Sequence, residues 1–439
     1  MISVDCLNIS LNRTLLLLVG LWPYQQSKLV QFQIILVITI LTTCIIFQFT
    51  AFLTSKCTPD LFINVFSSAL FFLLFLIQYA WFSINTKVVK YLLDRLLNIY
   101  NDLTDKNEIR IMEEYGSYAR RYTIGLISKT IALEFHKILS VCFVLKRLVN
   151  FCSKPSQRMC ILLSLKRSLV IVIIFAPVLI LYPFWPHIFD ILLSINESSS
   201  RPSLKGIYVS EYFIDQEKYF NLILLHGNAA LFLGIVTLLG TGTLLIANEQ
   251  YACGMFRIAS YRLEQALAVD TLRKNNSRNK NLIHNKLIHA VDMHREAMKF
   301  SDSSVSKFKI MFAFMIVTGV ISAILNFFRL FQALLFGYDA EELLLPLLSV
   351  IIYISYIFVG DYVAQEVMDH NNDVFATAYN IQWYTASLNV QKMILFLLQR
   401  STKDFNLNIA GLIIGSLEGA ASLLSTTLSY FTVLYSIRT

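Results

Sequence analysis

Charge is what this chain has least of. Of 439 residues only 15% are Asp, Glu, Lys or Arg, where soluble domains average about 25%. The deficit excludes a soluble catalytic domain as the main body, because no polar stretch is long enough to build one. Glycine (15) and proline (8) are also scarce, which excludes collagen-like and low-complexity architectures. Cysteine occurs seven times, at 6, 44, 57, 142, 152, 160 and 253, without a Cys-x-x-Cys pair. That spacing predicts neither a disulfide framework nor a zinc site. No secretory leader is expected: Arg13 is the one basic residue before a short apolar run, Leu15–Gly20, that Trp22-Pro23 interrupts.

Hydrophobicity takes the place of charge. The chain is 56% hydrophobic and 13% aromatic, with a mean hydropathy of +0.59. Its apolar residues fall in charge-poor blocks, and about 20 such residues carry a helix across a bilayer. Seven blocks qualify: Val30–Leu53, Leu61–Ile84, Ser168–Pro186, Tyr219–Asn248, Ile310–Phe328, Leu343–Gly360 and roughly Phe405–Ile437, the last interrupted by Glu418. The expected fold class is all-α, a polytopic membrane protein with seven transmembrane helices. The expected organisation is a terminal segment 1–29, spans 1–4 within 30–248, a polar loop 249–309, spans 5–6 within 310–363, a polar segment 364–404, and the last span within 405–439.

The net charge of +8 is concentrated. Residues 128–170 carry eight Lys/Arg against one acidic residue, so no nucleic-acid partner is expected. Counted by side of the membrane, the N-terminus and the loops after spans 2, 4 and 6 hold 31 Lys/Arg, while the opposite loops and the C-terminus hold six. The positive-inside bias therefore predicts a cytoplasmic N-terminus and an extracellular C-terminus. That is the reverse of a G-protein-coupled receptor. Span 3 has no Asp-Arg-Tyr at its inner end, and span 7 has no Asn-Pro-x-x-Tyr.

Other membrane functions fit less well. A secondary transporter favours internal repeats and Gly/Pro-broken helices, and only Gly240-Thr-Gly242 looks like a break. Intramembrane charge marks ion paths and proton relays, yet the spans hold only His226 and Glu418. His284, His289 and His294 recur every five residues, which turns successive side chains about 140° around a helix. This is a poor metal site and reads as a solvated helix. No catalytic residue, metal or cofactor is expected.

Several segments resemble insect odorant receptors, most closely those of ants, bees and wasps. They are Asn12-Arg-Thr-Leu15 with Val19-Gly-Leu-Trp-Pro-Tyr24, Ala252–Arg262, Tyr379-Asn-Ile-Gln-Trp-Tyr384, Gln391–Arg400 and the terminal Ser429-Tyr-Phe-Thr-Val-Leu-Tyr-Ser436. The resemblance implies the same inverted topology that loop charge predicts. It further implies an odorant-tuning subunit of a ligand-gated, nonselective cation channel, which assembles with a co-receptor subunit into a heterotetramer. Span 7 of each subunit would line the pore, and the cytoplasmic ends of spans 4 to 7 would form an anchor. The setting is the plasma membrane of an olfactory sensory neuron. A gustatory-type receptor channel and a G-protein-coupled chemoreceptor are the alternatives.

Residues can be assigned within that frame. Ser422, Thr426, Ser429, Val433 and Ser436 recur at spacings of four and three and share one helical face. Small hydroxyls admit hydrated ions, and an apolar ring closes a pore by dewetting. By the resemblance, Val433 takes the gate position and Ser436 its polar neighbour. Hydroxyls at this spacing also join helices to one another, so both readings stand. A volatile needs an apolar, aromatic-lined cavity with a few polar groups. The candidates are Phe71, Phe72 and Phe75 of span 2, Tyr182 and Trp185 of span 3, and Ser349, Tyr353 and Tyr356 of span 6. Interfacial aromatic belts and simple core packing explain the same residues.

The remaining polar features are assigned more coarsely. Basic residues of 249–309 suit anionic lipid headgroups, and Trp383-Tyr384 suits an interface core. Asn196-Glu-Ser198 is a glycosylation sequon in an expected outer loop. Residues 128–170 break the family pattern. Tyr122–Ile127 starts a span, the basic segment follows, and an apolar run resumes near Leu169. Either the segment is inserted within span 3, or it is a cytoplasmic extension ahead of a short span.

Overall fold

The computed structural model describes residues 7–54, 56–146, 211–215, 218–267, 277–336, 340–400, 403–409 and 411–438. In chain order the helices are α1 (Ser10–Leu18), α2 (Lys28–Phe49), α3 (Ala51–Thr54), α4 (Pro59–Ile84), α5 (Thr86–Asp102) and α6 (Lys106–Lys146). Then come α7 (Phe220–Ala266), α8 (Ser277–Ser306), α9 (Lys309–Phe336), α10 (Ala340–Asn380), α11 (Leu388–Arg400) and α12 (Leu417–Arg438). A short hairpin, β1 (Asn408–Ile409) paired antiparallel with β2 (Ile413–Ile414), precedes α12.

Among the described residues six helices are long and apolar enough to cross a membrane. They coincide with expected spans 1, 2, 4, 5, 6 and 7. Span 3 at Ser168–Pro186, with Tyr182, Trp185 and the Asn196 sequon, lies outside the described residues. Helix α6 runs unbroken through 128–146, the first part of the basic segment, and 147–170 lies outside the described residues.

Local sequence explains where these helices begin. The Thr58 hydroxyl accepts the Leu61 N–H at 3.2 Å and Pro59 occupies the first turn of α4, a capped start with proline where its missing N–H costs nothing. Ser27 caps α2 through the Val30 N–H at 3.3 Å. Two helices continue far beyond their apolar runs. At 1.5 Å per residue, the 47 residues of α7 reach about 70 Å, more than twice the roughly 30 Å hydrocarbon core. Helix α10, with 41 residues, reaches about 60 Å. Span 7 is shorter than expected: the described residues of 405–416 are loop and hairpin, and the helix begins at Leu417.

Helix α7 is the hub. It packs against α1, α2, α4, α6, α8 and α10, and 56% of its most apolar stretch is buried, against 11% for α12. Close approach depends on its glycines. A Cβ at Gly240 would lie 3.1 Å from Leu15 Cβ, and one at Gly234 only 2.1 Å from Phe75 Cδ2. Gly240 and Gly242 therefore do not break the helix; α7 passes through both. Asn12 ties α1 to this hub, donating from Nδ2 to Thr243 Oγ1 at 2.8 Å.

The polar extensions pack at one end of the bundle, here called the charged end. Arg262 grips Glu108 through two hydrogen bonds, of 2.6 and 2.8 Å, and Arg95 pairs with Glu296 at 2.6 Å. Glu366 receives Gln250 at 2.6 Å and Tyr122 at 3.0 Å. On α8 the buried positions are Ile283, Leu287, Ala290, His294, Ala297, Phe300, Ser301 and Ser304, a stripe spaced mainly by three and four that faces the core. His284 and His289 are exposed, but His294 is buried. The expectation of a solvated histidine thus fails for His294, because it falls on the apolar stripe.

Candidate functional site

The aromatic candidates of α4 sit in the core. Phe71, Phe72 and Phe75 are fully buried, and their rings meet edge to face at centroid distances of 4.8 to 6.1 Å, the geometry aromatic quadrupoles favour. Phe75 lies over Gly234 of α7. One turn away, Ser67 accepts from the Arg329 guanidinium at 3.0 Å. A polar group thus caps the ring cluster towards the end opposite the charged one.

The α10 candidates separate. Ser349 is buried and its hydroxyl donates to the Pro346 carbonyl at 2.9 Å, one turn back on its own helix, so its polar group is satisfied without a ligand. Tyr353 is buried at the meeting of three helices. Its hydroxyl is 3.1 Å from Thr427 Oγ1 of α12, and its ring covers Gly319 of α9, where a Cβ would come within 3.1 Å. Tyr356 is half-buried and rests near Gly242 of α7, 3.9 Å from the position of a Cβ there. Although three residues apart, the two tyrosines touch different helices.

Helix α12 has two contrasting faces. Ser422, Thr426, Ser429, Val433 and Ser436 are all exposed, and Val433 retains 53% of its surface. The opposite face holds Ala420 and Thr427, both buried. The exposed hydroxyls donate to their own helix: Thr426 to Ser422 O at 2.8 Å, Ser429 to Ser425 O at 2.8 Å, and Ser436 to Val433 O at 2.9 Å. Each therefore turns its lone pairs outward, so the face is polar yet uncharged. Glu418 is exposed in the first turn of α12, where the helix dipole favours an acid.

Two histidines and a cleft complete the polar features. His226 is held between Thr43 and Tyr212, at 2.9 Å on each ring nitrogen. Thr43 already donates to the Thr39 carbonyl at 2.7 Å, so His226 donates to it from Nε2, and Nδ1 pairs with the Tyr212 hydroxyl. The ring thus ties α2 to α7 and to the segment that precedes α7. At the charged end, His294 Nε2 contacts Asn371 Oδ1 at 2.9 Å between the rings of Phe256 and Phe375. Burial pushes its pKa down, with the Asn371 hydrogen bond opposing. Finally, a cleft of about 360 Å³ opens at the charged end, lined by Tyr115, Arg257, Ser260, His370, Asp373 and Thr377 among others. Its mixed charge and hydroxyls suit a polar group and not an apolar volatile. Trp383 is half-buried and Tyr384 is 65% exposed, so that aromatic pair is open on one side.

Comparison with known proteins bears on this arrangement. A family model described as 7tm odorant receptor matches residues 206–428, half of the chain. No curated protein matches. The fold is similar to the insect olfactory receptor OR5 from Machilis hrabei, with a TM-score of 0.66 at 14% identity over 98% of this chain and 97% of that one. The structure of that receptor in complex with eugenol matches over the same shares of the two chains, with a TM-score of 0.64 at 16% identity. With half of its length matched by that family and all of its described spans helical, the chain belongs to the odorant receptor family of membrane proteins.

Proposed function

We propose that this chain is the odorant-tuning subunit of a ligand-gated, nonselective cation channel, completed by a co-receptor subunit in a heterotetramer. The two-faced α12 carries this reading: five small or apolar residues face outward along one stripe, while Thr427 and Ala420 seat the helix on its own subunit. A helix buried over 11% of its apolar stretch needs further cover, and an uncharged hydroxyl stripe is better suited to a water-filled pore than to lipid. In this reading Val433 closes the pore as an apolar ring and the hydroxyls line the conducting path.

The charged end faces the cytosol, following the excess of Lys/Arg, which puts the C-terminus outside. The subunit sits in the plasma membrane of an olfactory neuron. The exposed Tyr384, Leu388 and Phe396 form part of the anchor between subunits, and basic residues of α8 lie towards anionic lipid. The ligand is a volatile, such as the eugenol bound by OR5. It occupies a site walled by Phe71, Phe72 and Phe75 with Ser349, Tyr353 and Tyr356, and with Tyr182 and Trp185 from span 3. Binding shifts the helix packing only by as much as it favours the open state over the closed.

The test is whole-cell current in cells expressing the chain with and without an insect co-receptor, probed with eugenol and a volatile panel. Odorant-evoked current that requires both subunits is expected. Odorant-evoked calcium release without current would overturn the channel in favour of G-protein signalling. Repeating the recordings with 128–170 deleted separates the two origins of that segment: restored or larger currents mark an insertion, and lost surface expression marks an integral part.

A further inference from the structure

Helix α12 is attached to its subunit by two unlike contacts. Against α9 it packs through rings: Phe431 on Phe327 and Phe331 at 6.1 and 5.8 Å, and Tyr435 on Phe331 at 4.8 Å. Such apolar contacts leave no hydrogen-bonding group unsatisfied when the rings shift against each other. Against α10 it is held by the Tyr353–Thr427 hydrogen bond at 3.1 Å. Both partners are buried, with Thr427 fully so, hence water does not replace the bond when it breaks. The Thr427 proton is already committed to the Leu423 carbonyl at 2.8 Å, so Tyr353 is the donor. Its ring is clamped over Gly319, and no large shift of Tyr353 is possible without moving the hydroxyl off Thr427.

We propose that the Tyr353–Thr427 hydrogen bond is the latch that couples ligand binding to the pore: a ligand that displaces the Tyr353 ring breaks the bond and releases α12. This deepens the channel reading and rests on it. Tyr353 stands on the helix that also carries Ser349 and Tyr356, and Thr427 lies back to back with the Thr426 and Ser429 stripe on α12. The bond therefore joins the ligand wall and the pore helix directly. Thr427 acts as a positioning residue; it touches neither ligand nor ion. An exposed bond would exchange with water at little cost, but a buried one leaves an unsatisfied donor, so its state is felt by both helices.

The test uses the full chain co-expressed with the co-receptor, with surface expression measured for each variant. Tyr353→Phe removes only the hydroxyl, Thr427→Val replaces it isosterically, and Thr427→Ser keeps it. Each of the first two is expected to raise odorant-free current, above that of the co-receptor alone, about fivefold, the factor for one net hydrogen bond. The double variant is expected to match either single one, and Thr427→Ser to match the wild type. Multiplicative effects in the double variant, or no change with Thr427→Val, overturn the latch. A change confined to Tyr353→Phe makes Tyr353 a ligand contact only. Absence of current from every form, wild type with eugenol and the volatile panel included, refutes the channel reading, and the latch with it.

Discussion

Three glycines set a graded test of how the proposed ligand wall is packed. An added Cβ would meet Phe75 Cδ2 at 2.1 Å from Gly234, Tyr353 Cε2 at 3.1 Å from Gly319, and Tyr356 Cε2 at 3.9 Å from Gly242. Ordinary carbon contact is about 3.5 Å, so the Phe75 ring must retreat about 1.4 Å, Tyr353 about 0.4 Å and Tyr356 not at all. Phe75 has nowhere to go, being buried against Phe71 and Phe72. Overpacking of this kind costs about 1–3 kcal/mol, against a gain of up to about 1 kcal/mol for Gly→Ala within a helix. Gly234→Ala is thus expected to destabilise by roughly 1–2 kcal/mol, Gly319→Ala to come out near zero, and Gly242→Ala to be neutral or stabilising. Thermal melting of the solubilised receptor, followed by fluorescence-detected size exclusion, reads the order. A Gly234→Ala melting curve equal to the wild type, or Gly242→Ala as the least stable of the three, would refute the packing of α4 on α7.

Other perturbations reach the charged end and the pore. Arg262→Met leaves Glu108, whose side chain is 9% exposed, without its two-pronged partner. A loss of roughly 3 kcal/mol in stability is expected, as for other broken buried pairs, and most of it should return in the Arg262→Met/Glu108→Leu double variant. His294 has its pKa lowered by burial from the ordinary 6.5, so the unfolded chain takes up its proton first. Its contribution is present above pH 6.5 and lost as pH falls through 6.5 towards the lowered value. Melting temperature between pH 7.5 and 5.5 should therefore fall less steeply in His294→Gln than in the wild type, and parallel curves would exclude the assignment. Val433→Thr makes the proposed gate wettable, and larger odorant-free current is the expected reading in whole-cell recordings.

The spans were legible because bilayer crossing needs length and the absence of charge, and both are local properties. Helix ends were not, since α7 and α10 continue past Asn248 and Gly360 into charged sequence, where tertiary packing and not hydropathy keeps them helical. Gly240 and Gly242 signal a break in the sequence, whereas the structure uses Gly240 for contact with Leu15 and Leu16. The place of His294 was in principle readable. Ile283, Leu287, Ala290 and Ala297 mark the buried stripe, and His294 falls on it. The pairing of Tyr353 with Thr427 spans 74 residues and has no local signature. The exposed stripe of α12 is the opposite case: spacings of four and three mark the face, and the single subunit leaves it open.

The central claim is that this stripe borders the ion path. Single cysteines at positions 422, 426, 429, 433 and 436, and at 420 and 427 on the buried face, would be treated with a charged methanethiosulfonate reagent during odorant-evoked current, with exposed Cys57 replaced by serine throughout. The account predicts that modification alters current at the five stripe positions and leaves 420 and 427 unchanged. Equal effects on both faces, or none at any stripe position while current flows, would contradict it.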